Sequence, residues 1–331
     1  MTTRRKLLLV LGLSGYSTSF PALSQQQSTI RRIGFIGLRS RSTPARPDVY
    51  YDAFVQGMGE LGYFEGKNLD IEWRLADGKY ERIPALAAEM VQTKVEVIVT
   101  HSSPITHALR KLSTQIPIVQ LSMSDPVGDG LVQSLARPGG NVTGLSTMSN
   151  ELVAKQLELL KLVSRKVSRV AILVNPNETT HPKLVRDAQD AGKKLGLAIL
   201  PVVAGEADAI ERSFATIKRE GADALVILIS AKFGLQRAQI AELAVKQKLP
   251  SMYFTREYPK AGGLMSYGNN QSEVYRLGAT YVDKILKGAK PADLPIQQPT
   301  RFYLVINAKT ANTLGISITP ELLLRADEVI E

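Results

Sequence analysis

Short runs rich in isoleucine and valine recur along the chain, each followed by a stretch with apolar residues at helical spacing. That alternation is the pattern of a parallel sheet covered by helices on both faces, because parallel strands need a crossover that packs back on the sheet. It restarts after the segment DPVGDGLVQSLARPGGNVTGLS, residues 125–146, where Asp125-Pro126, Gly128, Gly130 and the run from Pro138 to Asn141 break any regular element. The chain therefore reads as two α/β halves, each a doubly wound parallel sheet, with a cleft between them. Ligands in open sheets of this kind bind beyond the carboxyl ends of the strands, which puts Asp125 at the cleft.

In the first half, strands are expected at residues 31–38, 68–76, 95–100 and 116–122, with helices at 52–61, 83–90 and 104–112 and a fifth strand at NVTGLS. Ser103 before Pro104 fits an N-cap followed by proline at the first helical position. Such a start leaves backbone N–H groups and the positive end of the helix dipole at a strand end, a setting suited to a carboxylate. In the second half RVAILVN, LAILPVV, DALVILI and LPSMYF alternate with helices expected at 151–163, 182–195, 210–220 and 233–247. Val274, Leu277, Gly278, Tyr281, Val282 and Ile285 mark one further, very regular helix, and a proline-containing linker then leads to RFYLVIN and a short helix.

The start, MTTRRKLLLVLGLSGYSTSFPALS, has a basic opening, an apolar core at residues 7–13 and small residues before a glutamine run. These are the parts of a signal peptide (1–24), too short to span a membrane, and they place the mature chain in the periplasm. The paired Arg4 and Arg5 also fit a twin-arginine export signal. With no cysteine anywhere, disulfides, thiol chemistry and a lipoprotein anchor are all excluded. The formal charge is +10, but apart from the leader, Arg31-Arg32 and Lys193-Lys194, the basic residues are scattered, which argues against a nucleic-acid partner.

Nothing in the sequence has the form of a catalytic, cofactor or metal motif. Gly34 and Gly37 do not make the GxGxxG turn that a dinucleotide needs, and neither GxxxxGK[ST] nor GxSxG occurs. His101, His107 and His181 lack metal-ligand spacing. A relay of Ser103, His101 and Asp125 has nothing to fix its geometry, so these residues read as polar lining. What the strand ends share is hydroxyls, amides and tyrosines: Ser102, Ser103, Ser124 and Asp125 in the first half, Asn175, Asn177, Ser230, Tyr253 and Tyr267 in the second. Hydroxyls at a helix start suit a carboxylate, an aspartate suits an ammonium group, and tyrosines suit an aromatic body.

Three blocks, SDPVGDGLVQSLARPGGNVTGLS, GGLMSYG with YVDKILKGAKPADLPIQQPT, and FYLVINAKTANTLGISITPELLLRADEVIE, resemble the substrate-binding proteins of ABC transporters, in particular the group with tryptophan-type binding proteins. The resemblance implies a type I periplasmic-binding fold, a monomer that hands a small-molecule ligand to an inner-membrane permease without a cofactor. It implies lobes at 30–147 plus 266–299 and at 148–265 plus 300–331, with crossings at 145–151, 264–268 and near Thr300. Matched position by position, it adds Thr147 and the 175–178 turn to Ser103, Asp125, Ser230 and Tyr267 as ligand contacts. The chain departs from the tryptophan-type pattern at Thr147 and at Ser230-Ala231, where that pattern is acidic, so an aromatic acid or another small anion fits as well as a zwitterion. The competing expectations are a secreted enzyme using the same cleft, distinguished by turnover, and a regulator, which would need a helix-turn-helix where the leader stands.

Overall fold

The computed structural model describes residues 30–331 except 46, 165 and 206, so the expected signal peptide lies outside the described residues. The first sheet is built from β1 (Arg31–Gly37), α1 (Val49–Glu60), β2 (Leu69–Leu75), α2 (Ile83–Gln92), β3 (Val97–Thr100), α3 (Ser103–Leu112), β4 (Ile118–Met123) and β5 (Val142–Ser146). Its strands are all parallel, in the order β2-β1-β3-β4-β5. The alternation of a strand's side chains explains why both faces are buried. Phe35, Val97 and Val99 enter one core, while their neighbours Ile36 and Ile98 enter the core on the other side with α2 and α3.

After β5 the chain passes to α4 (Ser149–Val163) and a second sheet: β6 (Arg169–Val174), α5 (His181–Leu195), β7 (Ala198–Val203), α6 (Ala207–Arg219), β8 (Ala224–Ile227), α7 (Ala231–Leu235), α8 (Arg237–Lys246), β9 (Ser251–Tyr253), α9 (Glu257–Lys260) and β10 (Met265–Gly268). It then returns to the first sheet with α10 (Gln271–Leu286), whose Val274, Tyr275, Ala279 and Val282 share a core with Phe35, Tyr51 and Phe54. Gly57 lets α1 come this close, since a Cβ there would meet the backbone carbonyl of Arg276. The chain ends back on the second sheet with β11 (Tyr303–Asn307), α11 (Ala308–Thr313), α12 (Pro320–Arg325) and β12 (Glu328–Ile330), giving the order β12-β11-β10-β9-β8-β6-β7. Only the β10–β11 pair is antiparallel among the described strands of that sheet.

Two of the differences from the sequence expectation fall in the connections of the second sheet. Residues 265–268, expected as a crossing, form an interior strand of the second sheet, and the passage to α10 falls at Asn269 and Asn270. A segment only four residues long is too short for its periodicity to distinguish an interior strand from a connection. The helix expected across 233–247 is two helices, α7 and α8, broken at Gln236 with φ −104° and ψ 16°.

Candidate functional site

A cavity of about 440 Å³ lies between the two sheets, beyond the carboxyl ends of their strands. Its first-lobe wall begins in the loop after β1. Asp48 is the N-cap of α1, its Oδ1 accepting from the backbone N–H groups of Tyr50 and Tyr51 at 3.1 Å each. Its Oδ2 accepts from Arg39 Nη1 at 3.2 Å, and both side chains are nearly buried, 11% and 12% exposed. Burial works against the Arg39 charge, but the Asp48 carboxylate outweighs it and raises the guanidinium above its ordinary range. That guanidinium lies 4.7 Å from the Tyr50 ring centroid, and Tyr50 is stacked on Tyr275 at 5.3 Å. It also reaches the opposite lobe at Gly234, where any Cβ would crowd Nη2.

His101, at the end of β3, lies 5.9 Å from the Tyr275 ring and 6.0 Å from that of Tyr51. Burial, reinforced by the Arg39 charge, pushes its pKa down to about 3, so the imidazole is neutral. Neither of its ring nitrogens has a partner among the described residues, and neither does Ser102 Oγ next to it. Ser102, not the expected Ser103, is the N-cap of α3, with Pro104 at the second helical position rather than the first, and Ser102 makes no side-chain capping bond. Proline at N2 removes one N–H group from the first turn of α3, and Ser102 and Ser103 at the start of that turn line the cavity.

The second lobe contributes Glu178, Ser230, Phe254, Glu257 and Tyr258. Burial raises the Glu178 pKa, a shift resisted by hydrogen bonds from Tyr80 Oη (2.6 Å) and Ser230 Oγ (3.1 Å) and furthered by the Asp129 charge. Glu257 has one oxygen, Oε2, without a partner among the described residues. Burial and the nearby Glu257 carboxylate raise Tyr50 well above the usual phenol range, so Tyr50 is a neutral donor across the cleft.

Of the residues expected from sequence, Ser102, Ser103, Ser124 and Ser230 line this cavity together. The other six lie outside its wall. Asp125 closes its own turn, accepting from Gly128 N at 2.8 Å, and holds Asn150 Nδ2 at 2.8 Å with Lys183 3.6 Å away. Thr147 is fully buried and bonded to Met123 O and Ser149 Oγ at the start of α4. Asn175 is fully buried, donating to Tyr80 Oη (3.1 Å) and Ser230 Oγ (3.0 Å), and Asn177 is an exposed member of its turn. Tyr253 stacks on Tyr258 at 4.4 Å inside the second lobe, and Tyr267 is half-buried against Phe302. Sequence reasoning missed Arg39, Asp48, Tyr50, Glu257 and Tyr275 as lining residues. The strand-end rule applied to β1 would have found the first three; Tyr275 looks like one more apolar helix position.

Two sheets facing a shared, aromatic-walled cavity at their strand ends define a binding protein for one small solute. The chain matches the family model described as ABC transporter substrate binding protein over residues 42–330, and it belongs to that family. It is 24% identical over 264 residues to a tyrosine-binding protein of Clostridioides difficile (strain R20291), covering 80% of this chain and 75% of that one. Its fold matches the ABC domain from Streptococcus pneumonia in complex with L-Trp (TM-score 0.83, 25% identity, 91% of this chain and 100% of that one). It also matches a conserved domain protein from Vibrio cholerae (TM-score 0.84, 28% identity, with the same coverage). Family and relatives are solute-binding proteins rather than enzymes, which removes the enzyme alternative. Among the described residues no helix is long and apolar enough to cross a membrane, and no cluster of acidic residues, histidine or cysteine could hold a metal ion.

Proposed function

We propose that this protein is the extracytoplasmic receptor of an ABC importer and that it captures an aromatic, carboxylate-bearing solute of amino-acid size for a membrane permease. The observation that carries this reading is the first-lobe wall: Tyr275, stacked on Tyr50, lies close to His101, and polar atoms of His101 and Ser102 have no partner among the described residues. The aromatic faces suit a flat ring, and the uncapped start of α3, with Ser102 and Ser103, suits its carboxylate. Glu257, with one carboxylate oxygen at the wall that has no partner among the described residues, takes an ammonium group in the role first expected of Asp125. The tyrosine- and tryptophan-binding relatives support the same class of solute.

The two lobes act as bodies that close on the solute by rotation at three connections, residues 147–148, 269–270 and 298–302, where helical or strand pairing is interrupted. The test is calorimetric titration with L-tyrosine, tyramine and 3-(4-hydroxyphenyl)propionate. The expected result is binding of L-tyrosine, loss of about tenfold or more without the ammonium group, and a larger loss without the carboxylate. Equal affinity for tyramine and L-tyrosine overturns the carboxylate assignment.

A further inference from the structure

Tyr80 lies outside the cavity, in a short 3₁₀ turn (Tyr80–Arg82) of the first lobe, where its ring packs against the core under α2. Its hydroxyl crosses the cleft. It donates to Glu178 Oε1 at 2.6 Å and accepts from Asn175 Nδ2 at 3.1 Å, both residues of the second lobe. The second-lobe side of this cluster is assembled without Tyr80. Asn175 Nδ2 also donates to Ser230 Oγ at 3.0 Å, and Ser230 Oγ donates to the same Glu178 oxygen at 3.1 Å. Asn175 is itself held by its backbone N–H donating to His181 Nδ1 at 3.0 Å. That bond makes Nδ1 the acceptor, so Nε2 carries the proton and donates to Ile229 O at 3.0 Å. A socket built from Asn175, Glu178 and Ser230 therefore stands ready on one lobe, and a single phenol from the other fills it.

We propose that Tyr80 is a positioning residue for capture: its hydroxyl docks in the Asn175–Glu178–Ser230 socket, locks the lobes closed and fixes Glu178 as part of the cavity wall. The lock rests on the reading of the cleft as the solute site but not on the solute's identity. Within this cluster, rotation of the lobes apart breaks the two bonds to Tyr80 and leaves the socket intact, so closing costs little ordering there on the second lobe. Removing the hydroxyl leaves Glu178 and Asn175 each one partner short in the closed state alone, which favours opening.

The absence of cysteine from the chain allows clean spin labelling. Lys111→Cys and Lys218→Cys put exposed labels on α3 of the first lobe and α6 of the second. Pulsed electron–electron double resonance on protein freed of solute by denaturation and refolding should show a short-distance, closed component in the otherwise unaltered protein. Tyr80→Phe should reduce it at least threefold, and Glu178→Ala likewise. Glu178→Gln, which keeps an acceptor oxygen, should preserve most of it. With L-tyrosine as probe, Tyr80→Phe should raise the dissociation rate about tenfold and change the association rate less than twofold. A distance distribution unchanged by Tyr80→Phe, or one lacking the short component in the unaltered background, overturns the lock. Closure that depends on Tyr80 in a protein indifferent to L-tyrosine supports the lock and counts only against the solute assignment.

Discussion

The two walls of the cleft are held in different ways. On the first lobe, Asp48 caps α1 and grips Arg39, Arg39 covers Tyr50, and Tyr50 stacks on Tyr275, so the surface is complete before the other lobe arrives. On the second lobe Glu257 and Tyr258 stand on the short helix α9, Ser230 is the N-cap of the short helix α7 and Glu178 lies in the turn before α5, and the polar groups of Glu178 and Glu257 look to Tyr80 and Tyr50 across the gap. On the proposed reading the difference divides the roles: the first lobe would present a preformed surface to the solute, and the second would supply closure. Preorganisation on one side limits what association must order to the other.

The largest way to break this contrast is at Asp48. Asp48→Ala removes the cap of α1 and leaves the Arg39 charge nearly buried without a partner, which should cost about 3–5 kcal/mol of stability and abolish binding. Chemical denaturation checks the first and calorimetry the second; a variant that still binds tightly would show that the wall does not depend on its cap. The second-lobe counterpart, Glu257→Gln, should leave the melting temperature nearly unchanged and weaken L-tyrosine by about 10- to 150-fold through one lost charge-assisted bond. If that change unfolds the lobe instead, the two walls are supported alike.

Acid should act on both walls. His101 and His181 are neutral in the fold, with pKa values pushed down to about 3 and about 4 by burial, against 6.5 when unfolded. Below pH 6.5 the unfolded chain takes up protons that the native state refuses, so stability is constant above that point. It falls by up to about 1.4 kcal/mol per pH unit for each histidine as pH drops toward 4. Melting curves of His101→Gln and His181→Gln over that range should show the slope reduced in each. The smallest effect is expected at the rim. Asp125→Ala loses the bonds to Gly128 and Asn150, worth about 1 kcal/mol of stability, and should keep affinity within about threefold, because its carboxylate does not line the cavity.

The contrast between Asp48 and Asp125 also shows how far the sequence could be read. The alternating apolar runs specify the two sheets because a two-residue period and a helical period are written directly in the order of residues. The strand-end rule picks out Ser102, Ser103, Ser124 and Ser230, and these four line one cavity. It cannot tell an aspartate that points its carboxylate at a turn N–H from one that points inward, because that depends on the partner each side chain finds. Asp125 finds Gly128 three residues on; Asp48 finds Arg39 nine residues back. Tyr253 and Tyr275 make the same point for aromatics, since one is stacked inside the second lobe and the other lines the cleft, and only tertiary packing separates them. Tyr80 and Glu178 are 98 positions apart, and no local pattern joins them.

The central claim, that the cleft holds an aromatic solute by its carboxylate, is tested most directly by denaturing protein purified from cells that make it and identifying the released small molecule by mass spectrometry. The expected result is one aromatic solute bearing a carboxylate, recovered unaltered after prolonged incubation with refolded protein. Recovery of a neutral sugar, or of a solute without a carboxylate, contradicts it.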